Sequence, residues 1–188
     1  SNLDARLRLM MRGEIKHLQN DLGITSIYVT HDQVEAMTMA NRIAVMSGGH
    51  LQAFDTPEAL YDKPKTQFVA GFVGNPPMNF TNVDVSASNG HFVAKSSTLS
   101  LDVSKARGEK PATLSGSVVM GIRPEDITIA ADGNVKGEIF VIEPLGRENL
   151  VDVRIDGESF LLLADTEDTH KPGDVVSLKF NMDKAQFF

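Results

Sequence analysis

An α/β segment followed by a small all-β domain of barrel or sandwich type is the fold class this sequence predicts, and three observations predict it. In the first segment apolar residues recur at helical spacing and lead into one short apolar run. Beyond residue 80 the pattern changes to short strand-like runs separated by turn signals. Between them lies Gly74-Asn-Pro-Pro-Met78, where adjacent prolines stop both helix and ladder and glycine frees the backbone. The expected division is 1–74, a linker at 75–80, and 81–188.

Leu7, Met11, Ile15, Leu18 and Leu22 stand at helical intervals with polar residues between them, and Gly23 follows where a helix C-cap falls. This predicts an amphipathic helix. The run Thr25-Ser-Ile-Tyr-Val-Thr30 then reads as a buried strand, and Asp32 with Glu35 three residues on reads as a capping pair opening a helix to about Ala40. His31 is thereby placed at a strand-to-helix turn, where open α/β sheets bind their ligands. Arg42 to Met46 and His50 to Phe54 flank Gly48-Gly49, a pair that accepts the positive φ angles of a two-residue hairpin turn. Thr56-Pro57-Glu58 supplies an N-cap, a proline at the first helical position and an early acid, so a short helix runs to about Asp62, and a second follows from about Thr66 to Val73.

Nine strand-like runs are expected in the second part: Val83 to Val85, His91 to Ala94, Leu99 to Val103, Ser117 to Ile122, Ile127 to Ile129, Lys136 to Glu143, Asn149 to Ile155, Ser159 to Ala164 and Val175 to Phe180. Asn89-Gly90, Asp132-Gly133, Asp156-Gly157 and Lys171-Pro-Gly-Asp174 separate several of them as turns. Such regular spacing is that of a small barrel or sandwich.

Composition narrows the function classes. The chain has 188 residues, 41% of them hydrophobic, which is enough to build cores. No stretch approaches the apolar length of a membrane span, and the polar start Ser1-Asn-Leu-Asp-Ala-Arg6 lacks a secretory layout. Without cysteine there are no disulfides or thiolate metal sites, and a cytoplasmic setting is the default. A net charge of -7 and only 6% aromatic residues argue against nucleic acid as a partner. His17, His50, His91 and His170 show no ligand spacing, so no metal site is expected.

Four blocks together are specific. Ser1-Asn-Leu-Asp-Ala5, Tyr28-Val-Thr-His-Asp-Gln-Val-Glu-Ala-Met37, Phe68-Val-Ala-Gly-Phe-Val-Gly74 and Met78-Asn-Phe80 resemble, in order and spacing, the ATP-binding subunit of a sugar-type ABC importer of the maltose-importer class. Gly121-Ile-Arg-Pro-Glu-Asp126 and Glu143-Pro-Leu-Gly146 resemble the oligosaccharide-fold (TOBE-type, OB-fold) regulatory domain that follows the ATPase in that class. The likeness covers the whole chain. It implies that the first part is the tail of an ABC ATPase domain, that Ser1, Asn2, Leu3 and Asp4 form the D-loop at the dimer interface near ATP, and that His31 is the switch histidine beside the γ-phosphate. A histidine there can hydrogen-bond a phosphate oxygen and help orient an attacking water, work that phosphoryl transfer asks of positioned groups.

The resemblance further implies ATP and Mg²⁺ as cofactors of the parent subunit, a homodimer through the regulatory domain, membrane-spanning permease subunits as partners, and a cytoplasmic location on the inner face of the membrane. Other nucleotide contacts are missing from this sequence. No glycine is followed by lysine, as a phosphate loop requires, and no apolar strand ending in Asp-Glu precedes the D-loop. The chain alone is therefore expected to bind no cofactor and to hydrolyse no ATP. Ser47-Gly48-Gly49 imitates the ABC signature motif, but it joins two expected strands rather than opening a helix onto phosphate. Arg123-Pro-Glu-Asp126 and Glu143 to Asn149 read as polar turn clusters that solvate loops or line a regulatory surface. An interaction or dimerisation module, and a small-ligand sensor built on the β domain, are the alternative functions.

Overall fold

A computed structural model describes residues 2–88, 91–97, 99–104, 106 and 116–188, with the backbone alone for residues 2–6, 8 and 88. The chain forms two compact units, 1–64 and 65–188. The division thus falls ahead of the Gly74-Pro-Pro segment, and residues 65–74 pack with the β part rather than with the first unit.

In the first unit, α1 (Asn2–Leu22) ends at Gly23, whose φ of +61° is the left-handed value that glycine adopts without cost at a helix C-terminus. Its apolar stripe, Leu7, Met11, Ile15, Leu18 and Leu22, is exposed. Residues 25–30 form no strand. The sequence expectation of a buried strand fails here because a β-strand exists only through a partner's hydrogen bonds, and none of the described residues pairs with this run; Ile27 and Val29 are 92% and 90% exposed. Helix α2 (Gln33–Met39) follows, then the hairpin β1 (Ile43–Ser47) and β2 (His50–Asp55), in register from Ser47↔His50 around Gly48 and Gly49 at φ +55° and +78°. These angles are those of the expected two-residue turn. Helix α3 (Pro57–Asp62) starts as predicted, with Thr56 accepting from the Ala59 amide and Pro57 in the first turn, where no N–H partner is needed.

The second unit opens with α4 (Gln67–Phe72), capped by Thr66, whose hydroxyl accepts from the Val69 amide. Two antiparallel five-stranded sheets follow. One has the order β12 (Gln186–Phe187), β6 (Gly116–Ile122), β3 (Asn79–Ser88), β4 (His91–Lys95), β5 (Ser100–Asp102). The other has the order β10 (Glu158–Asp165), β9 (Glu148–Ile155), β8 (Val135–Pro144), β11 (Val175–Phe180), β7 (Ile127–Ile129). All nine expected strands are present. The short β12 was not foreseen, because two residues are too few to show alternation, and the expected linker at 79–80 is already the start of β3. The Asn89-Gly90 turn lies outside the described residues.

Inward residues of both sheets share one core, with Val83, Ala94 and Met120 from one and Val151, Leu162 and Leu178 from the other buried together. Phe160 and Phe180 meet edge to face at 5.9 Å within it. Each fully buried side chain of this size stabilises the unit by roughly 1.5–3 kcal/mol. At Gly133 an added Cβ would stand 2.6 Å from the Leu178 backbone, so only glycine lets this turn cross the strand so closely. No helix among the described residues is long and apolar enough to cross a membrane.

The two sheets are also tied by a polar contact. Buried Asn79 on β3 donates from Nδ2 to the Leu161 carbonyl at 2.8 Å and accepts at Oδ1 from the Leu161 amide at 2.8 Å. The side-chain amide thus pairs with β10 as a neighbouring backbone would. Beside it, the Thr81 hydroxyl donates to Glu158 at 2.9 Å. Replacing Asn79 with leucine leaves a donor and an acceptor of β10 without partners; urea unfolding should show a loss of about 2 kcal/mol, and an unchanged midpoint would contradict this.

Candidate functional site

His31 stands at the junction between the extended run 24–30 and α2, and one carboxylate organises that junction. Glu35, in the first turn of α2, accepts from Thr30 Oγ1 at 2.7 Å, from Arg12 Nη2 at 2.9 Å and Nε at 3.2 Å, and from Tyr28 OH at 3.3 Å. The Thr30 hydroxyl in turn accepts from the Asp32 amide at 2.9 Å. Asp32 Oδ1 caps α2, accepting from the Val34 and Glu35 amides at 2.8 and 3.1 Å, while its other oxygen takes Arg12 Nη2 at 3.1 Å. From the next turn of α1, Lys16 donates to the Thr38 carbonyl at 2.6 Å.

The expected capping pair is therefore half formed. Asp32 caps the helix, but Glu35 does not reach back to the cap amide, because Thr30 and the Arg12 guanidinium compete for its oxygens and a charged donor makes the stronger bond. The hydroxyl bond from Thr30, followed by the bonds from Arg12, holds the Glu35 carboxyl below its ordinary value of 4.5. Arg12 and Thr30 were not singled out in the sequence. The available signal was weak: Arg12 and Lys16 are cations one helical turn apart on α1.

His31 itself is exposed, and among the described residues its ring has no hydrogen-bond or ion-pair partner. The network fixes the backbone on both sides of it and leaves the imidazole open. Of the other residues expected at a nucleotide, Ser1 lies outside the described residues, and Asn2, Leu3 and Asp4 are described only as the first backbone turn of α1. His31 is thus the one such residue with a described side chain. Ser47-Gly48-Gly49 is the hairpin turn.

The two β-domain clusters differ in character. Arg123 is buried and donates from Nη1 to the Val73 carbonyl at 2.9 Å, so it neither solvates a loop nor lines a surface. Glu143 to Asn149 form the exposed end of the β8–β9 hairpin, closed by the Leu145 amide donating to the Glu148 carbonyl at 2.8 Å. Three of the remaining histidines sit beside single carboxylates: His17 with Asp21, His91 with Asp102 and His170 with Asp168. No group of three or more metal-ligating side chains occurs among the described residues.

Comparison with known proteins decides the family. Residues 120–188 match the TOBE domain, and residues 74–127 match the MalK OB fold domain. The multiple sugar-binding transport ATP-binding protein MsmK of Streptococcus mutans is 40% identical, over all of this chain and 54% of its own length. The trehalose/maltose import ATP-binding protein MalK of Thermococcus litoralis is 42% identical, over all of this chain and 53% of its own length. The chain belongs to the sugar-type ABC transporter ATP-binding proteins. It corresponds to their C-terminal part and spans about half the length of the curated relatives it matches. The sn-glycerol-3-phosphate import ATP-binding protein UgpC of Ruegeria pomeroyi, at 46% identity over 84% of this chain and 42% of its own length, belongs to the same group of matches. Within this ABC family chain, the matched domains begin at residue 74, whereas the compact β unit begins at residue 65.

The Glu35 hub carries a pH dependence of known sign. A carboxyl whose pKa is lowered on folding contributes stability that is present above its unfolded value near 4.5 and is lost as pH falls through its lower folded value. Amide exchange of residues 30–39 should be constant from about pH 5 to 8, after correction for intrinsic rates, and lose protection on acidification below that range. In Glu35→Gln the acid step should disappear, and protection should already be reduced at neutral pH.

Proposed function

We propose that this chain carries the switch-histidine segment and the regulatory β domain of an ATP-driven importer for a sugar or related solute. The single observation that supports the reading most is the built turn at residues 30–35, where Arg12, Thr30, Asp32 and Glu35 hold the backbone while His31 stays open. An imidazole held in that way can donate to, or accept from, a phosphate oxygen and position a water for in-line attack. ATP and Mg²⁺ would be the cofactors, and Ser1, Asn2, Leu3 and Asp4 would approach the nucleotide across a dimer interface. The exposed apolar stripe of α1 and the unpaired run 24–30 are the faces that the remaining half of a full-length subunit would cover.

A homodimer through the β domain, and permease subunits that bring the protein to the inner face of the membrane, belong to the same proposal. Phe140, Leu145 and Val175, large apolar residues exposed on β8, its hairpin end and β11, support association through the β domain. Sedimentation at tens of micromolar should show a dimer; a monomer at that concentration would contradict it.

The ATPase reading has its own test. The 188-residue chain by itself should hydrolyse no ATP above background. Expressed with the in-frame sequence that precedes it, the protein should hydrolyse ATP, and His31→Ala should reduce the rate about a hundredfold or more, the scale of a lost positioned proton-transfer or hydrogen-bonding group. A preceding sequence without a phosphate loop, or full activity in His31→Ala, would overturn the assignment.

A further inference from the structure

We propose, on the reading of His31 as the switch histidine, that Arg12 is its positioning residue, setting the rate of hydrolysis through Glu35 and Asp32 on either side of the histidine turn rather than by any contact of its own with nucleotide.

Helix α2 cannot hold that turn by itself. It has seven residues, none of them buried, and a helix so short is marginal unless its surroundings fix it. The polar side of α1 supplies three residues spaced four and three positions apart, which a helix brings to one face. Arg12 takes the first turn of α2, Lys16 donates to the Thr38 carbonyl near its end at 2.6 Å, and Gln19 donates to the Ile24 carbonyl at 3.0 Å, where the extended run begins. Of the three, only Arg12 reaches the neighbours of His31. Its Nη2 donates to Asp32 Oδ2 and to Glu35 Oε1, and the other Glu35 oxygen takes the Thr30 hydroxyl, so residues 30 and 32 are both tied to one guanidinium. The Arg12 and Glu35 side chains are 19% and 14% exposed, which spares the pair most of the water that weakens a surface ion pair. A guanidinium suits this place because its planar fork serves two carboxylates at once, as a point-like ammonium does not. The backbone is thus held on both sides of a ring that stays exposed.

A double-mutant cycle in the protein expressed with its preceding in-frame sequence tests this. Arg12→Met, which keeps the stem length and the helix propensity, should lower kcat about tenfold or more and leave the KM for ATP within about twofold, because a displaced histidine costs rate more than binding. In the His31→Ala background the same change should cost less than about twofold, since Arg12 acts through the residue already removed. Equal losses in the two backgrounds, or a raised KM with kcat unchanged, would overturn the proposal. Arg12→Lys should fall between wild type and Arg12→Met; should Arg12→Met fail to fold, a reduced kcat at unchanged KM in Arg12→Lys supports the role and a full kcat refutes it. A rate indifferent to His31→Ala would refute the ATPase reading instead, and the positioning then rests on the 188-residue chain alone. There the amide order parameters of residues 30–35 should be about 0.85 and drop below about 0.6 in Arg12→Met, with those of β9 and β10 unchanged. Wild-type values already that low, or no drop in the variant, would refute the positioning role.

Discussion

Apolar surface has to be covered, and this chain covers it in one unit and leaves it open in the other. Between the two β sheets, Val83, Met120, Val153, Phe160, Leu162 and Leu178 are withdrawn from water by residues of the same unit. In residues 1–64 the stripe of α1 and the run 24–30 remain exposed, although their sequences have the periodicity and β-branching of buried elements. The difference is one of partners. A sheet that folds back on itself supplies both faces of its core, whereas an amphipathic helix and a lone apolar run need further layers.

Polar side chains do the positioning where backbone pairing stops. Asn79 continues the ladder of β10 through its amide, and Arg123 closes the open end of α4. Glu35 gathers donors from α1, the extended run and the turn, and thereby holds the approach to His31 without a strand beneath it. Asn79 reaches 82 positions along the chain and Arg123 reaches 50, while Glu35 joins three donors, so the loss of any of them is felt beyond its own residue.

Much of this was legible in the sequence, and the reasons are local. Helix caps at Asp32 and Thr56, the Gly48-Gly49 turn and the strand alternation of the β unit depend on near neighbours, and the structure has them at the expected places. Thr25 to Thr30 was misread because a strand is a relation between segments, and apolar content cannot show whether a partner is present. The role of Arg123 was misread because a charged residue in a turn ordinarily faces water, and its partner lies 50 residues away at Val73. His31 was legible by motif, while Arg12, 19 positions before it, belongs to a contact that only the packing of α1 beside α2 creates.

The most direct measurement is residue-resolved hydrogen exchange over the whole chain at neutral pH. Amides of Ile27, Tyr28 and Val29 should exchange close to the rate of unstructured peptide, while those of Val151, Val153 and Leu162 should exchange only through unfolding of the β unit. Protection of residues 25–30 comparable to that of β9 and β10 would contradict the account, because it would show that this chain alone supplies the partner that the run 25–30 lacks.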